Sequence, residues 1–319
     1  MAEELLRIED LSVDYKIEGG FLSAVNKVSF SIEKGKVMAL VGESGCGKST
    51  IAHTVMRLSL DHNETIGGHI YFDGKDLLAL KEPEMEKIRG KEIGMIFQNP
   101  LDSLNPVYRS GTQVEEGLRL DGINGAEAKK KVLQLFKDVQ IPNPESRVEA
   151  FPHELSGGMR QRVMIAMMLA RNPKLLIADE PTTALDVTVE AQVLRIMKEM
   201  CEKEHAAVLL ITHNFGIVAE IADRVGIMYA GEIVEEGEVH EIFRNPMHPY
   251  SKALLSALPR QKKTEGRIDT IEGSVPRITA KEDKCRFANR CPLAQEKCLR
   301  SRPESREISP GHTACCHFL

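Results

Sequence analysis

Residues 37–50 read VMALVGESGCGKST, and the rest of the chain is interpreted from this stretch. VMALV (37–41) is a short apolar run bounded by glycine, the pattern of a strand buried on both faces of a parallel sheet. GESGCGKS (42–49) matches the spacing G-x-x-x-x-G-K-[ST], and a helical pattern runs from Ser49 to Met56. Strand, glycine loop and helix in this order make a phosphate cradle. The glycines let backbone N–H groups turn inward without Cβ clashes, and the helix N-terminus adds partial positive charge. Lys48 is the residue expected at the β- and γ-phosphates, and the Ser49 hydroxyl at Mg²⁺. Gly42, Ser44, Gly45, Cys46, Gly47 and Thr50 complete the loop, with Cys46 read as space-filling at a variable position.

Further buried strands are expected at IGMIFQ (93–98), LLIAD (175–179), VLLIT (208–212) and VGIMY (225–229). TVEAQVLRIMKEMCEKE and FGIVAEIADR are helical segments between them. The alternation implies an α/β fold with a doubly wound, mostly parallel sheet. The first 35 residues alternate apolar and polar and predict short antiparallel strands, and GHIYFDGKDL (68–77) predicts an edge strand and turn. Residues 101–172 have helical periodicity and form a helical insertion, in which KKK (129–131) is a solvated face. Beyond about residue 240 the chain turns Pro-rich and irregular. A small appended domain, 241–319, is expected there, entered by the helix SKALLSALP.

Composition excludes some functions. The net charge is -5, aromatics are 5% and Trp is 0, so nucleic-acid binding has neither a basic field nor stacking platforms. Val163–Ala170 is the longest uncharged apolar run and is too short to span a bilayer, and the acidic N-terminus does not read as a signal peptide. A cytoplasmic chain is expected, reaching a membrane only through partners, and structural disulfides are not expected there.

LLIADE (175–180) supplies the second half of a nucleotide site. The strand delivers Asp179 to the sheet edge, where it can hold Mg²⁺, and Glu180 can orient the attacking water. LSGGMRQR (155–162) puts Ser156, Gly157 and Gly158 at another helix N-terminus suited to an anion. Phosphate loop, FQNP, LSGGMRQR, LLIADEP, ALD and ITHN follow one another in order. Over about residues 5–240 the chain resembles the ATP-binding subunits of ABC transporters. That resemblance implies a P-loop ABC ATPase fold with a RecA-like parallel core, an N-terminal antiparallel β subdomain and a helical subdomain. It also implies residue roles. Tyr15 would stack on adenine, Gln98 would contact Mg²⁺ and sense the γ-phosphate, and His213 would be the switch histidine at that phosphate. The signature residues would meet ATP held by a partner subunit, and Ala184, Leu185 and Asp186 would cross the dimer interface. Asn214 stands where many relatives have Asp, a change expected to perturb local hydrogen bonding.

FQNPLDSLNP, NPMHPYSKALLSALP and CRFANRCP…GHTACCHF resemble the ATPases of oligopeptide, dipeptide and nickel importers, the peptide branch best. This implies a second homologous ATPase subunit or a head-to-tail self-dimer, two transmembrane permease subunits docking at the helical insertion, and an extracellular binding protein reached indirectly. The chain would lie peripherally on the cytoplasmic face of the membrane. A soluble ABC ATPase of DNA repair or translation, a nickel importer ATPase, and a regulatory ATPase without turnover are the rival readings.

Five of the seven cysteines fall in the last 35 residues, spaced C-x5-C-x6-C and then Cys315 and Cys316. Zinc sites usually contain C-x2-4-C pairs, and these wider spacings suit a [4Fe–4S] cluster. The resemblance also points to a cluster, held by Cys285, Cys291, Cys298 and Cys316, with Cys315, His312 and His317 as possible substitutes. Zinc and unligated thiols remain alternatives.

Overall fold

The computed structural model describes residues 3–58, 63–98, 103–182, 187–256, 273–280 and 283–319. The chain opens with two long strands, β1 (Glu4–Ile17) and β2 (Gly20–Glu33), and then β3 (Val37–Val41) and α1 (Lys48–Val55). β4 (Glu64–Phe72), β5 (Lys75–Asp76), α2 (Glu82–Ile88) and β6 (Ile93–Ile96) lead to the helices α3 (Ser110–Leu120), α4 (Gly125–Asp138), α5 (Pro144–Arg147) and α6 (Gly157–Leu169). β7 (Leu175–Asp179), α7 (Val187–Lys203), β8 (Ala207–Thr212), α8 (Phe215–Ile221), β9 (Arg224–Tyr229) and β10 (Glu232–Glu238) follow. The C-terminal part holds α9 (Val239–Arg244), α10 (Pro249–Ser256), α11 (Glu296–Arg300), β11 (Arg306–Ser309) and β12 (His312–Ala314).

Two compact units divide the chain. The first comprises residues 1–5, 32–37 and 79–210. Within it β6 and β7 pair in parallel, Ile93 opposite Leu175, and both are fully buried, as their uninterrupted apolar sequences require. The helical block α3–α6 belongs to this unit. On α4, Ala128, Val132 and Phe136 face inward, while Lys129, Lys130 and Lys131 lie on the exposed side. Gly111 on α3 lets the chain at Val148 approach closely, since a Cβ there would stand 2.4 Å from the Val148 side chain.

The second unit comprises residues 6–31, 38–78 and 211–319. One sheet runs β2-β1-β4-β5, with β1 antiparallel to β4, and Leu6, Ile8, Leu11 and Val13 of β1 buried. The strands are long rather than short, and the β1–β4 pairing continues on both sides of an irregularity between Glu9 and Ser12. β5, not β4, forms the edge. The unit also holds the run β11-β12-β10-β9-β3, in which β3 and β9 are parallel and the remaining pairs antiparallel. The sheet is therefore more mixed than a doubly wound reading anticipates. β10 reads EIVEEGE, which has no apolar strand pattern. Its carboxylates have dedicated partners instead. Glu232 accepts from Asn26 and pairs with Arg302, Glu235 accepts from the N–H groups of Met247 and His248 and contacts His312, and Glu236 pairs with Arg224.

Candidate functional site

In the second unit, β3 ends at Gly42, with φ at +156°, where a Cβ would stand 2.3 Å from the Met228 carbonyl oxygen. Gly47 has φ at +103° and the same 2.3 Å approach to the Ala24 carbonyl. These two positions need glycine for both space and conformation. Lys48 is buried, and its ammonium donates to the carbonyls of Gly42 (2.8 Å) and Glu43 (3.1 Å), so the side chain is held inside the arc of the loop. The Cys46 side chain is buried beneath Gly42, burial pushes its thiol up, and its carbonyl accepts from the Gly231 N–H at 2.8 Å. Ser44 and Gly45 form the exposed tip, and Ser49 and Thr50 are half-buried in the first turn of α1. Tyr15 on β1 shares a side-chain hydrogen bond with Thr50. Burial pushes the phenol up, and this bond acts against the shift.

His213 is exposed just after β8. Asn214 caps α8, its side-chain oxygen accepting from the N–H groups of Gly216 (3.1 Å) and Ile217 (3.4 Å). The expected disturbance is absent, because an amide oxygen caps a helix as well as a carboxylate does.

In the first unit, β7 delivers Asp179, 1% exposed, to its carboxyl end. Glu180 turns the chain there with φ at +43°, and its carboxylate accepts from the Gln98 amide at 3.1 Å. That left-handed turn leaves no mark in the sequence. Ser156 caps α6 by accepting from the Met159 N–H at 3.3 Å. Gly158, after Gly157, lies where a Cβ would stand 2.8 Å from the Val189 side chain. The buried Gln161 amide donates to the Pro181 carbonyl, tying the signature helix to the turn that carries Glu180. Ala184, Leu185 and Asp186 lie outside the described residues.

Cys285, Cys291, Cys298 and Cys316 line one cavity of about 460 Å³, with Phe287 and His317 also in its wall. The Cys285 N–H donates to the Cys298 carbonyl at 2.9 Å. Burial pushes the Cys285 thiol up to about 11 and the Cys291 thiol up as well. Cys315 lines a different cavity, of about 480 Å³, beside Arg302 and Glu236. The separation follows from strand alternation. The Cys315 N–H extends the β12 pairing by donating to the Val234 carbonyl at 2.8 Å, so consecutive side chains leave on opposite faces. His312 is not in the wall of the four-thiol cavity; its Nε2 lies 2.8 Å from the Glu235 carboxylate. The His317 ring nitrogen is engaged at 2.9 Å by the Ser301 carbonyl. Among the described residues, no group of three or more His, Cys, Asp or Glu side chains stands close enough to hold a metal ion.

Two family models match the chain. Residues 25–183 match the ABC transporter family, and residues 234–298 match the oligopeptide/dipeptide transporter C-terminal region. The chain is 47% identical to the oligopeptide transport ATP-binding protein OppD of Bacillus subtilis, over 97% of this chain and 87% of that one. It is 42% identical to the dipeptide transport ATP-binding protein DppD of Escherichia coli, over 98% and 96% respectively. Among solved structures it is similar to a dimeric ATP-binding cassette in a post-hydrolysis state bound to ADP and Pi. The TM-score is 0.65, with 28% identity over 73% of this chain and 98% of that one. The chain belongs to the ATP-binding proteins of ABC transporters, in the branch that carries the oligopeptide/dipeptide transporter C-terminal region.

Proposed function

We propose that this chain is the ATPase subunit of an importer of dipeptides or oligopeptides. The observation that carries this reading is one continuous chain joining the ABC phosphate loop to the peptide-transporter C-terminal region, similar over nearly its whole length to OppD and DppD. The nucleotide-binding part is assigned to residues 1–240 and the appended part to 241–319. Among the described residues no helix is long and apolar enough to cross a membrane. By its similarity to peptide-importer ATPases we place the chain at the cytoplasmic face, acting through two permease subunits fed by an external peptide-binding protein. Growth of the parent strain on defined peptides, with and without this chain, tests the cargo. Unimpaired growth on every peptide without the chain would overturn it.

The order of the motifs assigns both half-sites to one MgATP. Phosphoryl transfer needs positioning and charge neutralisation. The backbone of Gly42–Thr50 holds the phosphates, Lys48 neutralises them, and Tyr15 stacks on adenine. Ser49, Gln98 and Asp179 are hard oxygen donors suited to Mg²⁺, whose chemistry when bound is to neutralise charge on the phosphate oxygens. Glu180, oriented by Gln98, polarises the attacking water, and His213 contacts the γ-phosphate. Ser156, Gly157, Gly158 and Asp186 act across a head-to-tail interface with a second ATPase subunit; a solved cassette to which the chain is similar is dimeric.

A [4Fe–4S] cluster is the cofactor proposed for Cys285, Cys291, Cys298 and Cys316. The four thiols line one cavity, and a cube takes one thiolate at each iron. When bound, the cluster would staple an irregular segment that has a small core of its own.

A further inference from the structure

The run CRFANRC (285–291) carries two of the cavity cysteines, and its Arg290 holds the phosphate loop directly. One guanidinium nitrogen of Arg290 lies 3.1 Å from both carboxylate oxygens of Glu43, the loop's second residue, and Arg290 is nearly buried there. The same nitrogen donates to the Tyr229 hydroxyl at 3.4 Å, and the guanidinium lies over that ring. The Glu43 N–H donates to the buried Tyr250 hydroxyl at 3.2 Å. Tyr229 packs edge to face on Tyr250 and Phe287 with centroids 4.8 and 5.0 Å away, Tyr250 and Phe287 lie tilted at 5.3 Å, and Phe287 also walls the cysteine cavity. Arg286 donates to the Ala230 carbonyl, and the next residue, Gly231, donates its N–H to Cys46. Glu43 and Cys46 bracket the exposed tip of the loop.

We infer that this tail segment positions the phosphate loop, with Arg290 as the positioning residue, so that MgATP affinity and the order of the cysteine cavity are linked. The inference rests on the MgATP reading above. A phosphate cradle works only if its N–H groups are held in place before the ligand arrives. Here the anchors are a nearly buried guanidinium and a rigid ring cluster rather than the loop's own glycines. Arg290 also offsets the Glu43 carboxylate, whose charge would otherwise oppose a triphosphate. Linkage is reciprocal, so MgATP must in turn stabilise the 285–291 segment.

The test uses the full chain. Equilibrium MgATP binding is measured for wild type, Arg290→Ala, Arg290→Lys and Tyr250→Phe, with hydrogen exchange of residues 285–291 followed with and without nucleotide. Arg290→Ala should bind MgATP roughly 2- to 30-fold more weakly, the range of a coupling residue. Arg290→Lys should recover part of the loss, since it keeps the charge without the fork. Tyr250→Phe keeps the ring cluster, so it folds even if the arginine variant does not, and it too should bind more weakly. Arg300→Ala, on the exposed side of the tail, should bind as wild type does. MgATP should slow exchange in 285–291 of wild type and not of Arg290→Ala. Wild-type affinity in both Arg290→Ala and Tyr250→Phe, or exchange unmoved by MgATP in wild type, would overturn the inference. A wild-type chain that fails to bind MgATP would overturn the nucleotide reading itself.

Discussion

Gly42 and Gly45 sit three residues apart in the phosphate loop, and replacing each with alanine should have unequal effects. Gly42 has φ at +156°, and an added Cβ would meet Met228 backbone oxygen at 2.3 Å and the Cys46 sulfur at 2.9 Å. Neither neighbour can swing away, because one is backbone of β9 and the other is buried. Gly45 has φ at +79° but nothing within 4 Å of an added Cβ. Both variants bear backbone strain of about 1–3 kcal/mol. Only Gly42→Ala adds overpacking, a further ~1–3 kcal/mol. Gly42→Ala should therefore cost about 2–6 kcal/mol, a large share of the ~5–15 kcal/mol that stabilises a folded protein. Urea unfolding followed by circular dichroism, beside equilibrium MgATP binding, checks the ranking. Equal midpoints for the two variants, or a lower one for Gly45→Ala, would refute the argument that steric closure by Met228 makes Gly42 indispensable.

Cys316→Ser should abolish iron–sulfur absorbance at about 400 nm in anaerobically purified protein, while Cys315→Ser keeps it, because only Cys316 lines the four-thiol cavity. A colourless wild-type chain loaded with zinc would contradict the cluster assignment. Asn214→Asp should leave stability unchanged, and Asn214→Ala should cost ~1 kcal/mol in urea unfolding through the lost cap of α8. Two hydrogen bonds from Arg171 hold the Asp121 carboxyl below the usual carboxylate range. A depressed carboxyl stabilises the fold above its unfolded pKa of about 3.9, and that contribution is lost as pH falls through the depressed folded value. At the scale of a partly exposed pair it is ~0.2–1 kcal/mol, so Asp121→Asn should lower stability by about that amount at neutral pH and converge on wild type as pH falls below about 4 in pH-dependent urea unfolding.

The strands buried on both faces were readable because burial alone dictates their composition. VMALV and LLIAD occupy β3 and β7 at the very residues their apolar runs mark out. β10 was not readable. Its glutamates look like loop until Asn26, Arg224, His312 and Arg302 are brought up from elsewhere in the chain. The loop chemistry was legible from spacing, since glycine, lysine and hydroxyl positions follow from what a phosphate needs. What holds that loop was not, because Arg290 and Glu43 are 247 residues apart and no motif joins them. The choice between Cys315 and Cys316 rests on strand alternation beyond β12, and β12 itself is too short to read from HTA. Asn214 shows the opposite error. A departure from the usual residue looks disruptive, yet the Asn214 side-chain oxygen accepts from the Gly216 and Ile217 N–H groups as a carboxylate oxygen would.

We propose that Glu180 drives MgATP turnover within a dimer of ATPase subunits. Glu180→Gln keeps the size and the contact with Gln98 while removing the charge that polarises water. Steady-state hydrolysis should fall by about 10²–10⁴-fold, the contribution of a positioned general base. MgATP should then drive the variant into a stable dimer on size-exclusion chromatography with light scattering. Turnover at the wild-type rate by the Glu180→Gln variant would contradict the account.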